Sequence, residues 1–211
     1  MKISNWTTEL LLIFICLIPA AYLVYLWPEL PDQVPMHWNQ NGEIDRYGSK
    51  QELVYLSLGL PLFLYLLFLG IPKLDPKNKL SANVHGYKQI RIIITVLNSI
   101  LCVFIINSAS SSSVGNINYI IMGVGVLYLS LGYYMPSLPR NYFIGIRTPW
   151  TLEKESVWLA THKMSSKLWM FGGTAVIIAS LLFSNDLLTT IFLVITLVLV
   201  IIPVIYSYLK F

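Results

Sequence analysis

Residues Leu187–Leu209 read LLTTIFLVITLVLVIIPVIYSYL, without one charged side chain from end to end. At ~1.5 Å per residue, a helix of this length crosses the ~30 Å hydrocarbon core of a bilayer. A segment so apolar leaves no polar face for water, so its solvent is lipid. Working outward from it, five more apolar runs appear: Leu10–Leu26, Leu53–Ile71, Ile92–Ser108, Tyr119–Met135 and Leu168–Phe183. The third and fifth spans are short, and snorkelling of Arg91 and Lys167 would extend them to the interface. Composition agrees. Only 11% of residues are charged, against about 25% in a soluble domain. The expectation is an all-α integral membrane protein of six transmembrane helices.

The first run has two readings, a span or a cleaved signal peptide. Its apolar stretch continues past Ala20-Ala21 to Trp27, and the basic region before it is a single Lys2, which favours a retained span. Orientation follows from the cationic residues. With the N-terminus inside, only Arg46 and Lys50 of the 14 lysines and arginines fall outside. Both termini are therefore expected in the cytoplasm (N-in, C-in). The net charge of +4 flanks the spans and forms no continuous patch. It points to membrane lipids as partners and not to direct nucleic-acid binding.

This organisation gives five parts: 1–27 as the first span, 28–52 as an extracellular module, and 53–135 as spans two to four with a cytoplasmic loop at 72–91. The remaining two are 136–167, a cytoplasmic motif with an interfacial helix, and 168–211, spans five and six. Trp6, Trp27 and Trp169 fall at expected span ends, where indole rings prefer the interface. Pro19, Pro61 and Pro203 would kink or locally unwind their helices. Asn98-Ser99 lies mid-span, where an amide should bond to a neighbouring helix. Asp, Glu, Lys and Arg are absent from the interior of every run, so no ion-coupling group is expected. Gly123-Val124-Gly125 lacks a preceding strand and reads as close packing.

Two polar islands interrupt the lipid-facing sequence. The outer one, Pro28–Lys50, is PELPDQVPMHWNQNGEIDRYGSK. Its prolines keep the first part extended, and Asn41-Gly42 suits a tight hairpin turn. The arms would be Val34–Asn39 and Glu43–Tyr47, with Met36 and Trp38 on one face and His37 and Asn39 on the other. A two-stranded ribbon alone is marginal, so it should pack on the helix ends. His37, Glu43 and Asp45 are too scattered to make a convincing zinc site. No metal and no cofactor is expected, and Cys16 and Cys102, each inside an apolar run, behave as small hydrophobes.

The inner island, Asn141–Trp158, is NYFIGIRTPWTLEKESVW. Gly145 allows a turn that a side chain would resist. Thr148-Pro149 places a capping hydroxyl before a residue suited to the first helical turn, and Glu153 and Glu155 favour a helix N-terminus. Val157, Ala160, Thr161, Met164 and Leu168 recur at helical spacing, which predicts an amphipathic elbow along the inner interface before the fifth span. Arg147 could grip a lipid phosphate, a helix C-terminus or a partner carboxylate. Equally, Arg147 and Trp150 could simply anchor the elbow to lipid. No His-Glu-x-x-His, Gly-x-Ser-x-Gly or Cys-x-x-Cys is present. His162, with Glu155 one helical repeat away, reads as a solvated surface histidine. No catalytic residue is expected.

These islands carry a family resemblance. The outer PMHWNQNGEID resembles a small extracellular module with the pattern Pro-x-His-Trp-Asn-x-x-Gly-x-x-Asp. The inner NYFIGIRTPWTLEKESVWLATH is similar to the C-terminal motif of the SDP (sporulation-delaying protein) toxin immunity family, the SdpI-like proteins. Asn141, Gly145, Arg147, Thr148, Pro149, Trp150, Thr151, Leu152 and Trp158 carry that match. The resemblance implies a multi-pass protein of the bacterial cell membrane that confers resistance to a secreted peptide toxin. It further implies signalling, by holding a transcriptional autorepressor at the membrane. Toxin recognition would fall on Pro35, His37, Trp38, Asn39, Gly42 and Asp45, and autorepressor docking on Asn141, Gly145, Arg147, Thr148, Pro149, Trp150, Thr151 and Trp158. A transporter or other solute-binding membrane protein is the alternative, and a polar midplane cavity with charged walls would favour it.

Overall fold

The computed structural model describes residues 6–38, 43–76, 79–80, 84–111, 117–183 and 185–211. Among them are six helices long and apolar enough to cross a membrane. Helix α1 is Trp6–Leu26. The strands β1 (Gln33–Trp38) and β2 (Ile44–Ser49) then lead into α2 (Lys50–Val54), a π-turn at Tyr55–Gly59 and α3 (Leu60–Leu74), which together make one span. After α4 (His85–Ser111) and α5 (Asn118–Tyr134) come a short α6 (Pro149–Glu153), α7 (Glu155–Leu182) and α8 (Asn185–Leu209). The protein is a multi-pass membrane protein of helices, with a small hairpin among the described residues.

Proline chemistry explains two local features. In the π-turn the Leu60 N–H bonds the Tyr55 carbonyl, five residues back. In that register the Leu56 carbonyl would face the nitrogen of Pro61, which carries no hydrogen. The Cys102 thiol of α4 lies 3.6 Å from the Leu56 carbonyl and donates to it instead. Likewise Pro203 in α8 cannot serve the carbonyl of Leu199, four residues before it. Trp169 Nε1 reaches across from α7 and donates to that oxygen at 3.0 Å. Trp169 is therefore a helix-to-helix tie within the length of α7, where the sequence suggests an interfacial anchor.

Helix ends also differ from the apolar runs. At 28 residues, α7 is one unbroken helix from Glu155, ~42 Å long at the usual rise. The expected interfacial segment is its first turns, with Val157, Trp158, Thr161 and His162 buried against other elements. The bend lies one residue earlier, at Lys154 (φ −111°, ψ 125°). Helices α1 and α4 likewise begin before their apolar runs, so that Glu9 and Arg91 lie inside the bundle as an ion pair. The apolar runs themselves hold no charge, but the expectation that Arg91 snorkels to the interface fails, because its side chain turns into the bundle to pair with Glu9. Asn98 departs too: its Nδ2 is without a partner among the described residues, since it borders an apolar cleft between α3, α4 and α5.

Among the described residues, four apolar cores hold the bundle. One seats the hairpin, with Val34 and Leu30 against Leu26, Leu53, Ile106 and Ala109. At the other end Trp158, Leu138 and Leu80 meet Tyr87 and Ile90 of α4. A third joins α1 and α3 around Leu12, Cys16 and Tyr65, and the fourth joins α5, α7 and α8 around Val176 and Leu188. Helices α5 and α7 touch closely: a Cβ added at Gly132 would lie 2.8 Å from the Met170 nitrogen and the Ser166 carbonyl.

Candidate functional site

The hairpin is antiparallel and irregular. Pro35 pairs with Tyr47 and His37 with Arg46, so Met36 is an extra residue in its strand. The bulge lets both Val34 and Met36 face the core. Pro35 is buried, while His37 and Asp45 stand exposed and bond each other, Nδ1 to Oδ1, at 2.5 Å. Lys50 ties the base of the module: its N–H donates to the Asp32 carbonyl at 3.1 Å, its ammonium lies 3.0 Å from the Asp32 carboxylate, and it covers the Trp27 ring. Of the expected recognition residues, Asn39 and Gly42 lie outside the described residues, as does the Asn41-Gly42 turn. The backbone of Trp38 closes β1 opposite Ile44. No cluster of three metal-ligating side chains occurs among the described residues.

The inner loop is built in the opposite way. Asn141 is buried and engages its whole amide: Oδ1 accepts from Phe143 and Ile144 N–H at 2.8 Å each, and Nδ2 donates to the Pro139 and Ile144 carbonyls at 2.8 and 3.0 Å. Gly145 follows at φ +113°, in left-handed territory, and an added Cβ would sit 2.5 Å from His162 Nε2. Glycine is required there twice over, by backbone conformation and by space. The Ile146 N–H then donates to His162 Nε2 at 3.1 Å.

That bond fixes the histidine. Since Nε2 accepts, Nδ1 carries the proton and donates to the Trp158 carbonyl at 2.8 Å. Stacked on Trp158 with centroids 3.9 Å apart, His162 is 1% exposed. The solvated reading of His162 is thus corrected. The helix face that carries it is covered by the loop that turns at Gly145. Trp158, fully buried, donates from Nε1 to the Leu138 carbonyl at 3.0 Å.

Thr148 and Thr151 cap α6 reciprocally. The Thr148 N–H donates to Thr151 Oγ1 at 2.9 Å, and the Thr151 N–H donates to Thr148 Oγ1 at 3.2 Å. Pro149 occupies the first helical position, where its missing N–H costs nothing. Thr148 Oγ1 also reaches Ser207 Oγ of α8 at 3.0 Å, and Trp150 packs on Tyr208 with centroids 5.1 Å apart. At the other end of α6, Arg140 Nη1 donates to the Leu152 and Glu153 carbonyls. Arg140 thus belongs to the loop framework, although the motif reading passed it over. Lys79 bridges in from the 72–91 loop to Glu155 at 3.3 Å.

Among the motif residues, then, Asn141, Thr148, Thr151 and Trp158 are buried. Arg147 is exposed, and its Nη1 donates to the Tyr142 carbonyl at 2.6 Å. Tyr142 and Pro149 are exposed beside it. The buried polar side chains hydrogen-bond within the loop, and the loop carries Arg147 exposed on its surface.

Comparison with known proteins bears on both regions. Residues 137–207 match the SdpI/YfhL protein family, and residues 14–63 match a domain of unknown function, DUF1648. The chain is 27% identical to the Immunity protein SdpI of Bacillus subtilis (strain 168) over 204 residues, covering 93% of this chain and 92% of that protein. The chain is similar to the SdpI proteins along most of its length. The first match takes in the inner loop with α7 and nearly all of α8, and the second takes in the hairpin between its two flanking helices. No solved structure matches the chain.

Proposed function

We propose that this protein protects the membrane of its own cell against a secreted SDP-type peptide toxin, meeting the toxin from the outer face and without chemistry on it. The observation that carries this reading is the similarity to an immunity protein along nearly the whole chain, beside the matches of residues 14–63 and 137–207 to the two family models. Exposed His37 and Asp45 on a hairpin seated over the helix ends offer directional polar contacts to a peptide. His162, the side chain best suited to general-base work, has both ring nitrogens engaged internally. The test is expression of this chain alone in toxin-sensitive cells. Survival is expected, with the toxin recovered intact from incubation with purified protein. Killing equal to that of empty-vector cells sinks the reading, and toxin fragments would replace it with degradation.

A second activity, signalling through a cytoplasmic autorepressor, rests on the inner loop. Rigid support beneath an exposed Arg147 is what a docking surface requires. The transporter alternative finds less support. Cavities of about 470 and 280 Å³ line the outer half of α1 with α2 and the α3–α4–α5 cleft, and no charged residue borders either.

A further inference from the structure

The Glu9–Arg91 ion pair is 6% and 1% exposed. Tyr65 Oη donates to the other Glu9 oxygen at 2.7 Å, so α1, α3 and α4 meet on one carboxylate. Charges within a membrane bundle persist only when paired. Removing one partner leaves the other buried without compensation, so such a contact resists parting.

Helix α4, which carries Arg91, takes part in three of the four cores. Ile106 and Ala109 pack with Val34 of the hairpin, Ile92 packs on the Leu12, Cys16 and Tyr65 core, and Tyr87 and Ile90 pack with Trp158. One turn from Arg91, Tyr87 Oη donates to the Phe68 carbonyl of α3. Gly86 abuts the Ser137 side chain so closely that a Cβ would collide with it. The next residue, Leu138, accepts from Trp158, which stacks on the histidine that holds Ile146. Bonds and packed contacts therefore run without a gap from the ion pair to the inner loop.

We infer that Glu9, Arg91 and Tyr65 form an intramembrane joint that fixes the axial position of α4, and that through α4 the outer hairpin and the inner loop are mechanically linked. The three act as positioning residues for the inner loop. This linkage is a property of the chain alone and holds whatever ligand the hairpin meets.

Amide hydrogen exchange on the full chain in lipid nanodiscs tests it. Arg91→Gln is expected to raise exchange across residues 139–148 several-fold, by loosening the far end of α4. The charge swap Glu9→Arg with Arg91→Glu is expected to restore protection there, which a loss of mere side-chain volume would not allow. Faster exchange confined to residues 9–16 and 60–69, with 139–148 unchanged, overturns the linkage. Loop opening that the swap fails to reverse overturns the pair as its cause. If Arg91→Gln does not insert, Tyr65→Phe is read on the same peptides, with a rise of about twofold expected, and no rise overturns the inference.

Discussion

The two polar regions of this chain use their side chains in opposite ways. At the hairpin, polar groups stand in solvent: His37 and Asp45 bond each other at the surface, and Arg46 and Glu52 approach only to 3.8 Å. At the inner loop, Asn141, Thr148, Thr151 and His162 are buried, with their hydrogen bonds made inside the protein. Substitutions of the exposed polar side chains in the first region should change what the surface meets and leave the fold alone. Most substitutions in the second should open the loop itself. A shared motif is therefore not the same thing as a contact surface; much of the inner motif is framework.

The largest effect expected is at Trp158. Trp158→Ala removes a fully buried ring and orphans the Leu138 carbonyl, costing about 3–5 kcal/mol. A drop in thermal stability in nanodiscs checks it, and an unchanged melt would break the contrast between the regions. Gly145→Ala comes next, because it forces a side chain into φ +113° and against His162 Nε2. A loss of about 1–3 kcal/mol is expected, with faster hydrogen exchange from Asn141 to Thr148. Thr148→Ala removes the cap of α6 and should cost about 1 kcal/mol. A smaller loss than at Gly145, in the same melting assay, would preserve the order.

These outcomes bear on what the sequence could reveal. Span number and the loops' charge bias were legible because hydropathy, length and lysine placement are local properties of the chain. The similarity to the SdpI/YfhL family was legible as well, since Asn141 to Trp158 form one contiguous stretch. His162 was misread for the lack of a local cue. Its burial depends on a loop that turns back at Gly145, 17 residues earlier in the chain. The ion pair was missed for a related reason. Glu9 and Arg91 are 82 residues apart, and each borders an apolar run, where a charge ordinarily marks the end of a span. A helix window extended one turn past each run would have shown a carboxylate and a guanidinium at matching ends of two spans.

The smallest stability effects are expected where function should change most. Arg147→Ala leaves the fold within about 0.5 kcal/mol, as for other exposed positions, yet should weaken recruitment of a soluble partner to the membrane. Arg147→Lys should not restore it, because an ammonium lacks the planar fork. Asp45→Ala breaks an exposed pair worth no more than about 1 kcal/mol.

The proposed division of labour between the two regions is tested most directly by measuring both proposed activities in the same cells. Survival under toxin and membrane recruitment of the partner are read for Asp45→Ala and for Arg147→Ala at matched membrane abundance. Asp45→Ala is expected to lower survival and keep recruitment, and Arg147→Ala to keep survival and lower recruitment. Either variant abolishing both activities, or neither changing either one, would contradict the account.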